Sequence, residues 1–231
     1  MLGLLVIIVI SWGLLRFIEK KNIDVIGIIP TKKRSIQFII GFLFITLVCF
    51  INILIESWIL EINWQLNPSF NYKSIANAFV YHIRSALTED LVFRGALLYI
   101  LIQKIGAKKG GLIAALIFGI YHIFSYGILG EKLILMLYVT LITGCVGYVW
   151  GYTFHKTNSI MMGLGFHLGY NFIMALFFAS NPYGELLFEA TSKISLSDWN
   201  WLFFNLFKGL FPSITTFLFV KQYLKFNQSK N

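Results

Sequence analysis

Residues 36–60 read IQFIIGFLFITLVCFINILIESWIL, and this stretch decides the fold class. It carries one ionisable side chain, Glu56, in twenty-five residues. A helix of that length spans about 38 Å at about 1.5 Å per residue. That exceeds a bilayer hydrocarbon core of about 30 Å. Six further apolar stretches have spanning length: Leu2–Ile18, Ser74–Gln103, Gly111–Ile128, Lys132–Phe154, Ser159–Ser180 and Trp201–Leu224. The sequence therefore predicts an all-α, polytopic membrane helical bundle of about seven transmembrane helices. The expected organisation is a single transmembrane domain over residues 1–231.

Composition agrees. Of the 231 residues 58% are apolar and 13% charged, and the mean hydropathy is +0.75. A soluble surface needs roughly twice that charge density. A disordered chain, a disulfide-rich secreted module and an ordinary cytosolic enzyme are excluded. Cys49 and Cys145 both sit inside apolar runs, where they read as small core residues. The first apolar run lacks a preceding basic stretch and a small-residue cleavage site, so it reads as a retained helix.

The net charge of +9 has a topological reading. Basic residues gather in alternate loops: Lys20, Lys21, Lys32, Lys33 and Arg34, then Lys104, Lys108 and Lys109, then Lys156, then the tail with Lys221, Lys225 and Lys230. The intervening loops are poor in Lys and Arg. By the positive-inside rule this puts the N-terminus outside and the C-terminus in the cytoplasm of a multi-pass cell-membrane protein. No basic face interleaved with aromatics is present, so no nucleic-acid partner is expected. The 19–34 loop, with Pro30, is expected along the membrane surface, and an eighth or re-entrant segment is open within residues 181–200.

A charge inside the bilayer is costly enough that it usually has a partner or a task. Three spans carry such groups. One reads Glu89-Asp90-Leu91-Val92-Phe93-Arg94, the next Phe118-Gly119-Ile120-Tyr121-His122, the third His167-Leu168-Gly169-Tyr170-Asn171. Counting from the inner span ends, His167, His122 and Glu89 lie about 12, 16 and 21 Å deep. Asp90 and Arg94 (i, i+4) project within about 40° of each other, acid before base, and predict an ion pair. Glu89 points roughly 100° away from Asp90. His167 and Asn171 share a face, with Gly165 and Gly169 on the other side ready to press a neighbouring helix. Gly147 and Gly151 offer a second such face. His82 and Arg84 read as interfacial, and Lys208 in the last span is unexplained.

A carboxylate beside an imidazole can take a proton from water, and a histidine with an amide can stabilise the oxyanion that follows. That chemistry is peptide-bond hydrolysis. Glu89, His122 and His167 also make up a known catalytic zinc set, two imidazoles and a carboxylate. Zinc is thus open as a cofactor, although the His-Glu-x-x-His signature of soluble zincins is absent.

The three motifs, in this order and on separate spans, resemble those of the CPBP family, the CAAX-protease and bacteriocin-processing (Abi) intramembrane endopeptidases. Its pattern is Glu-Glu-x-x-x-Arg, Phe-x-x-x-His and His-x-x-x-Asn/Asp. The resemblance covers residues 74–180 as a catalytic core. It implies Glu89 as the base that activates water, His122 as the group that positions it, and His167 and Asn171 as oxyanion donors. Asp90 and Arg94 would be supporting residues. Members are often labelled metalloproteases, and a metal-free, glutamate-activated route fits the same residues. One departure is Asp90, where the family usually has Glu. The substrate implied is a hydrophobic peptide or protein precursor in the lipid bilayer, and the Lys-, Asn-, Ile- and Phe-rich composition suggests a bacterial source. The alternative is a non-catalytic immunity or adaptor protein on the same scaffold.

Overall fold

The computed structural model describes residues 2–228; Lys230, one of the tail cations, lies outside them. Eight α-helices follow in order: α1 (Leu2–Leu14), α2 (Lys32–Ile59), α3 (Tyr72–Phe93), α4 (Ala96–Ile105), α5 (Ala107–Ser125), α6 (Leu133–Thr157), α7 (Met161–Phe177) and α8 (Asp198–Gln228). Two short strands, β1 (Asn63–Leu66) and β2 (Phe188–Ser192), pair antiparallel. The chain is an all-α membrane bundle.

Five helices among the described residues are long and apolar enough to cross a bilayer: α1 with its π-turn extension to Glu19, α2, α5, α6 and α8. The other two expected spans depart from that pattern. α7 has only 17 residues. The stretch 74–103 is not one helix but two, α3 and α4, broken at Arg94-Gly95. α3 also carries Lys73, His82, Arg84, Glu89 and Asp90, which lower its apolar character. Residues 181–200, open on sequence alone to an eighth or re-entrant segment, contain β2. The 19–34 loop is not merely superficial. Ile26 is fully buried, and its carbonyl accepts from Ile160 N–H at the α6–α7 turn.

Surface and core are inverted relative to a soluble protein. Leu43, Leu47 and Leu54 on α2 and Leu133, Ile134 and Leu137 on α6 project outward. A contiguous apolar exterior suits lipid and would be an aggregation hazard in water. Inside lie Asn52, Glu56, Asp90, Arg94, His122 and His167. The apolar core between α2, α6, α7 and α8 is built on Ile45, Cys49, Ile53, Trp150, Phe166 and Val220.

Small residues let α7 approach α2. A Cβ on Gly165 would run into the Phe38 carbonyl, and one on Gly169 would crowd Ile45 and Phe42. The glycine face of the His167 helix therefore presses a neighbour, and the opposite face is turned inward. Helix starts are capped locally: Thr31 Oγ1 accepts from Arg34 N–H at 3.3 Å, and Asn71 Oδ1 from Lys73 N–H at 2.8 Å.

The break after α3 sets the motif that follows. Arg94 closes the helix, its N–H bonded to the Asp90 carbonyl at 2.9 Å. A Cβ on Gly95 would collide with the Leu91 carbonyl oxygen. Gly95→Ala is expected to destabilise the fold by about 1–3 kcal/mol, the usual range for overpacking. Thermal unfolding in detergent measures it, and an unchanged midpoint would contradict the steric account.

Candidate active site

α3 presents its two adjacent acids in different directions. Asp90 is completely buried and forms the predicted ion pair with Arg94. It has a second partner that the helical angles did not reveal: Asp90 Oδ1 lies 3.1 Å from His167 Nδ1. A carboxylate in a salt bridge only accepts, so Nδ1 of His167 carries the proton. The ring's other nitrogen, Nε2, is thereby turned toward Glu89 Oε2, 3.8 Å away. That gap is too long for a direct hydrogen bond. The other oxygen of Glu89, Oε1, accepts from Ser85 Oγ at 3.2 Å.

His122 comes from α5. Its Nδ1–H donates to the Phe118 carbonyl at 2.7 Å, one turn back on the same helix. A carbonyl cannot donate, so this bond also fixes the tautomer and leaves Nε2 free to face the interior. His122, His167 and Asn171 line a single cavity of about 150 Å³. Glu89 is not in its lining. It adjoins through His167. The structure thus brings the four expected residues into one neighbourhood from three helices. A separate groove of about 670 Å³ between α5, α6 and α8 is apolar and contains none of the four.

Aromatic rings hold the charged groups in place. The Arg94 guanidinium sits over Phe118 at 4.2 Å and over Trp150 at 4.6 Å, a double cation–π contact. Trp150 also packs against the His167 ring with centroids 4.7 Å apart. The motif phenylalanine therefore has two tasks, its carbonyl orienting His122 and its ring flanking Arg94.

Several of these residues escaped the sequence reading. Ser85 stands four residues before Glu89, and the i, i+4 spacing would have found it. Trp150 lies on α6, which carries no motif, and had no signal beyond the neighbouring small residues Gly147 and Gly151. The pairing of Asp90 with Arg94 holds, but it is incomplete, because the same carboxylate grips His167. The family's glutamate, one methylene longer, would have to reach both partners differently. His82 is buried, 8% exposed, and it shares a face of α3 with Ser85 and Glu89. Among the described residues no three His, Cys, Asp or Glu side chains group closely enough to hold a metal ion, including Glu89, His122 and His167.

Residues 71–173 match the family model described as type II CAAX prenyl endopeptidase Rce1-like. Over these residues, fewer than half of the chain, the protein is similar to the CAAX-protease family. The match runs from the cap of α3 into α7 and takes in all three motifs. The family it resembles is one of CAAX-type endopeptidases. No curated protein and no solved structure matches the chain.

Proposed function

We propose that this protein is a CAAX-type intramembrane endopeptidase that hydrolyses a peptide bond in a hydrophobic peptide or protein precursor, using water activated by Glu89. The observation that carries the reading is the orientation of His167. Asp90 holds one ring nitrogen at 3.1 Å, and the other faces Glu89 at 3.8 Å beside a cavity shared with His122 and Asn171.

In this reading a water donates a hydrogen bond to His122 Nε2 through one hydrogen, which it keeps, and gives the other, as a proton, to Glu89. The hydroxide oxygen attacks the scissile carbonyl carbon, and the carbonyl π electrons move to oxygen. Doubly protonated His167 donates Nδ1–H to Asp90 and Nε2–H to that oxyanion, with the Asn171 amide as a second donor. Collapse breaks the C–N bond, and Glu89 returns its proton to the leaving amine. Residues 74–180 would be the catalytic core of a single transmembrane domain, with the N-terminus outside and the C-terminus cytoplasmic in a bacterial membrane.

Purified protein in lipid vesicles is expected to cut a hydrophobic precursor peptide at one bond, read by mass spectrometry. Intact peptide after prolonged incubation would favour the adaptor alternative. Metal removal separates the two chemical routes. Cleavage is expected to persist within about twofold in a strong chelator. A loss of tenfold or more, reversed by zinc, would replace the glutamate-water route with a metal-dependent one.

A further inference from the structure

α8 lies beyond residues 71–173, yet it closes the cavity that holds His122, His167 and Asn171. Gly209 and Pro212 contribute to the lining, next to Tyr138 and Ile142 of α6. Three polar contacts fix this part of α8. Pro212 has no N–H, so the carbonyl of Lys208, four residues back, loses its helical donor. Asn52 on α2 replaces it, Nδ2–H donating to that oxygen at 3.1 Å. The Lys208 ammonium, unexplained by the sequence, meets Glu56 on α2 at 2.6 Å. The Tyr138 hydroxyl donates to the Asn205 carbonyl at 2.9 Å. Polar ties inside an apolar bundle are costly where nothing depends on them.

The contact made at Gly209 is as close as side-chain packing permits. A Cβ there would come within 2.9 Å of Ile142 Cδ1 and 3.0 Å of both Ile142 Cγ1 and Tyr138 Oη. The cavity's extent on this side is therefore set by Ile142 and by the missing side chain of residue 209. Its volume of about 150 Å³ is that of a cavity known to hold one benzene-sized apolar molecule. Away from the histidines and Asn171 the lining is largely aromatic and branched aliphatic, Tyr126, Tyr138, Val139, Ile142, Val146 and Tyr170 among it.

We propose that the α6–α8 wall selects the side chain flanking the scissile bond. The cavity takes one uncharged apolar side chain up to the size of a single ring, and Gly209 and Ile142 set that limit. A lysine side chain would be buried there with no carboxylate in the lining, and an indole exceeds the space. This inference rests on the endopeptidase reading and adds to it a substrate requirement set by Ile142 within the family-matched region and by Gly209 beyond it.

The test uses full-length protein in lipid vesicles and hydrophobic peptides that differ only at one residue on either side of the cleaved bond: Ala, Leu, Phe, Trp or Lys. Wild type is expected to favour Leu and Phe over Trp and Lys by about tenfold or more in kcat/KM, the scale on which a tight apolar pocket discriminates. Ile142→Ala should narrow the gap between Phe and Trp at least severalfold. Gly209→Ala should penalise Phe more than Ala. Adding Ile142→Val, which removes the Cδ1 atom nearest the new methyl, should restore part of the Phe rate. If Gly209→Ala does not fold, the Ile142→Ala series decides alone. Cleavage with the same side-chain ranking in wild type and variants would overturn the pocket and leave the endopeptidase reading standing. Wild type that cuts no peptide in the series would overturn both.

Discussion

Glu89→Gln is expected to lower the rate of peptide cleavage by about 10²–10⁴-fold, the range supplied by a positioned general base. Glutamine keeps the size of the side chain, and its carbonyl oxygen still accepts from Ser85, which in the native protein donates to Oε1 at 3.2 Å. It cannot take a proton from water. The substitution also breaks no direct hydrogen bond to His167, because its Nε2 stands 3.8 Å from Glu89. Little stability should be lost, and the unfolding midpoint in detergent should stay within a few degrees of the wild type. The deficit should appear in kcat, since the base acts on water rather than on bound peptide. His122→Ala is the companion variant. It removes the acceptor that orients the water and should also reduce kcat, by a smaller factor. If Glu89→Gln retains more than half the native rate with KM unchanged, the base lies elsewhere.

The bundle was legible because membrane helices leave long apolar runs, and the inward groups because charge is rare within them. Glu89, His122, His167 and Asn171 stand out on that ground alone. Helical angles also gave the Asp90–Arg94 pair and the glycine face of α7, since both depend on spacing within one helix. What stayed hidden depends on contacts between helices. Nothing in the order of residues says that Asp90 reaches across to His167, that Trp150 stacks on both His167 and Arg94, or that Lys208 answers Glu56 across 152 positions. The break at Gly95 was missed for a different reason. A single glycine in an apolar helix is tolerated, and only the position of the Leu91 carbonyl shows why a side chain is excluded. The two-stranded sheet joins the α2–α3 and α7–α8 connections, and such short pairings leave almost no periodic signal.

Arg94→Met should destabilise the protein by about 3–5 kcal/mol, the cost of leaving one member of a buried ion pair without the other. Asp90 is 0% and Arg94 3% exposed, so water cannot solvate the survivor. The methionine side chain can still pack between Phe118 and Trp150, so the loss reports the charge more than the volume. Asp90→Asn should destabilise in the opposite sense, stranding the guanidinium between its two rings. Combined, Asp90→Asn and Arg94→Met remove both charges, and stability should recover substantially, because a buried pair replaced as a unit is often close to neutral. Activity should not recover with it. The amide that replaces the Asp90 carboxylate offers no negative charge to Nδ1 of His167, so the imidazole loses the anion that orients it and balances its charge as the oxyanion forms. The double variant should therefore unfold near the native midpoint and cleave at least about tenfold more slowly, a loss in the range seen when a group that orients a functional histidine is removed. Recovery of both quantities together would reduce Asp90 to a partner of Arg94 and take it out of the chemistry. Recovery of stability alone would fix its task as holding His167 toward Glu89.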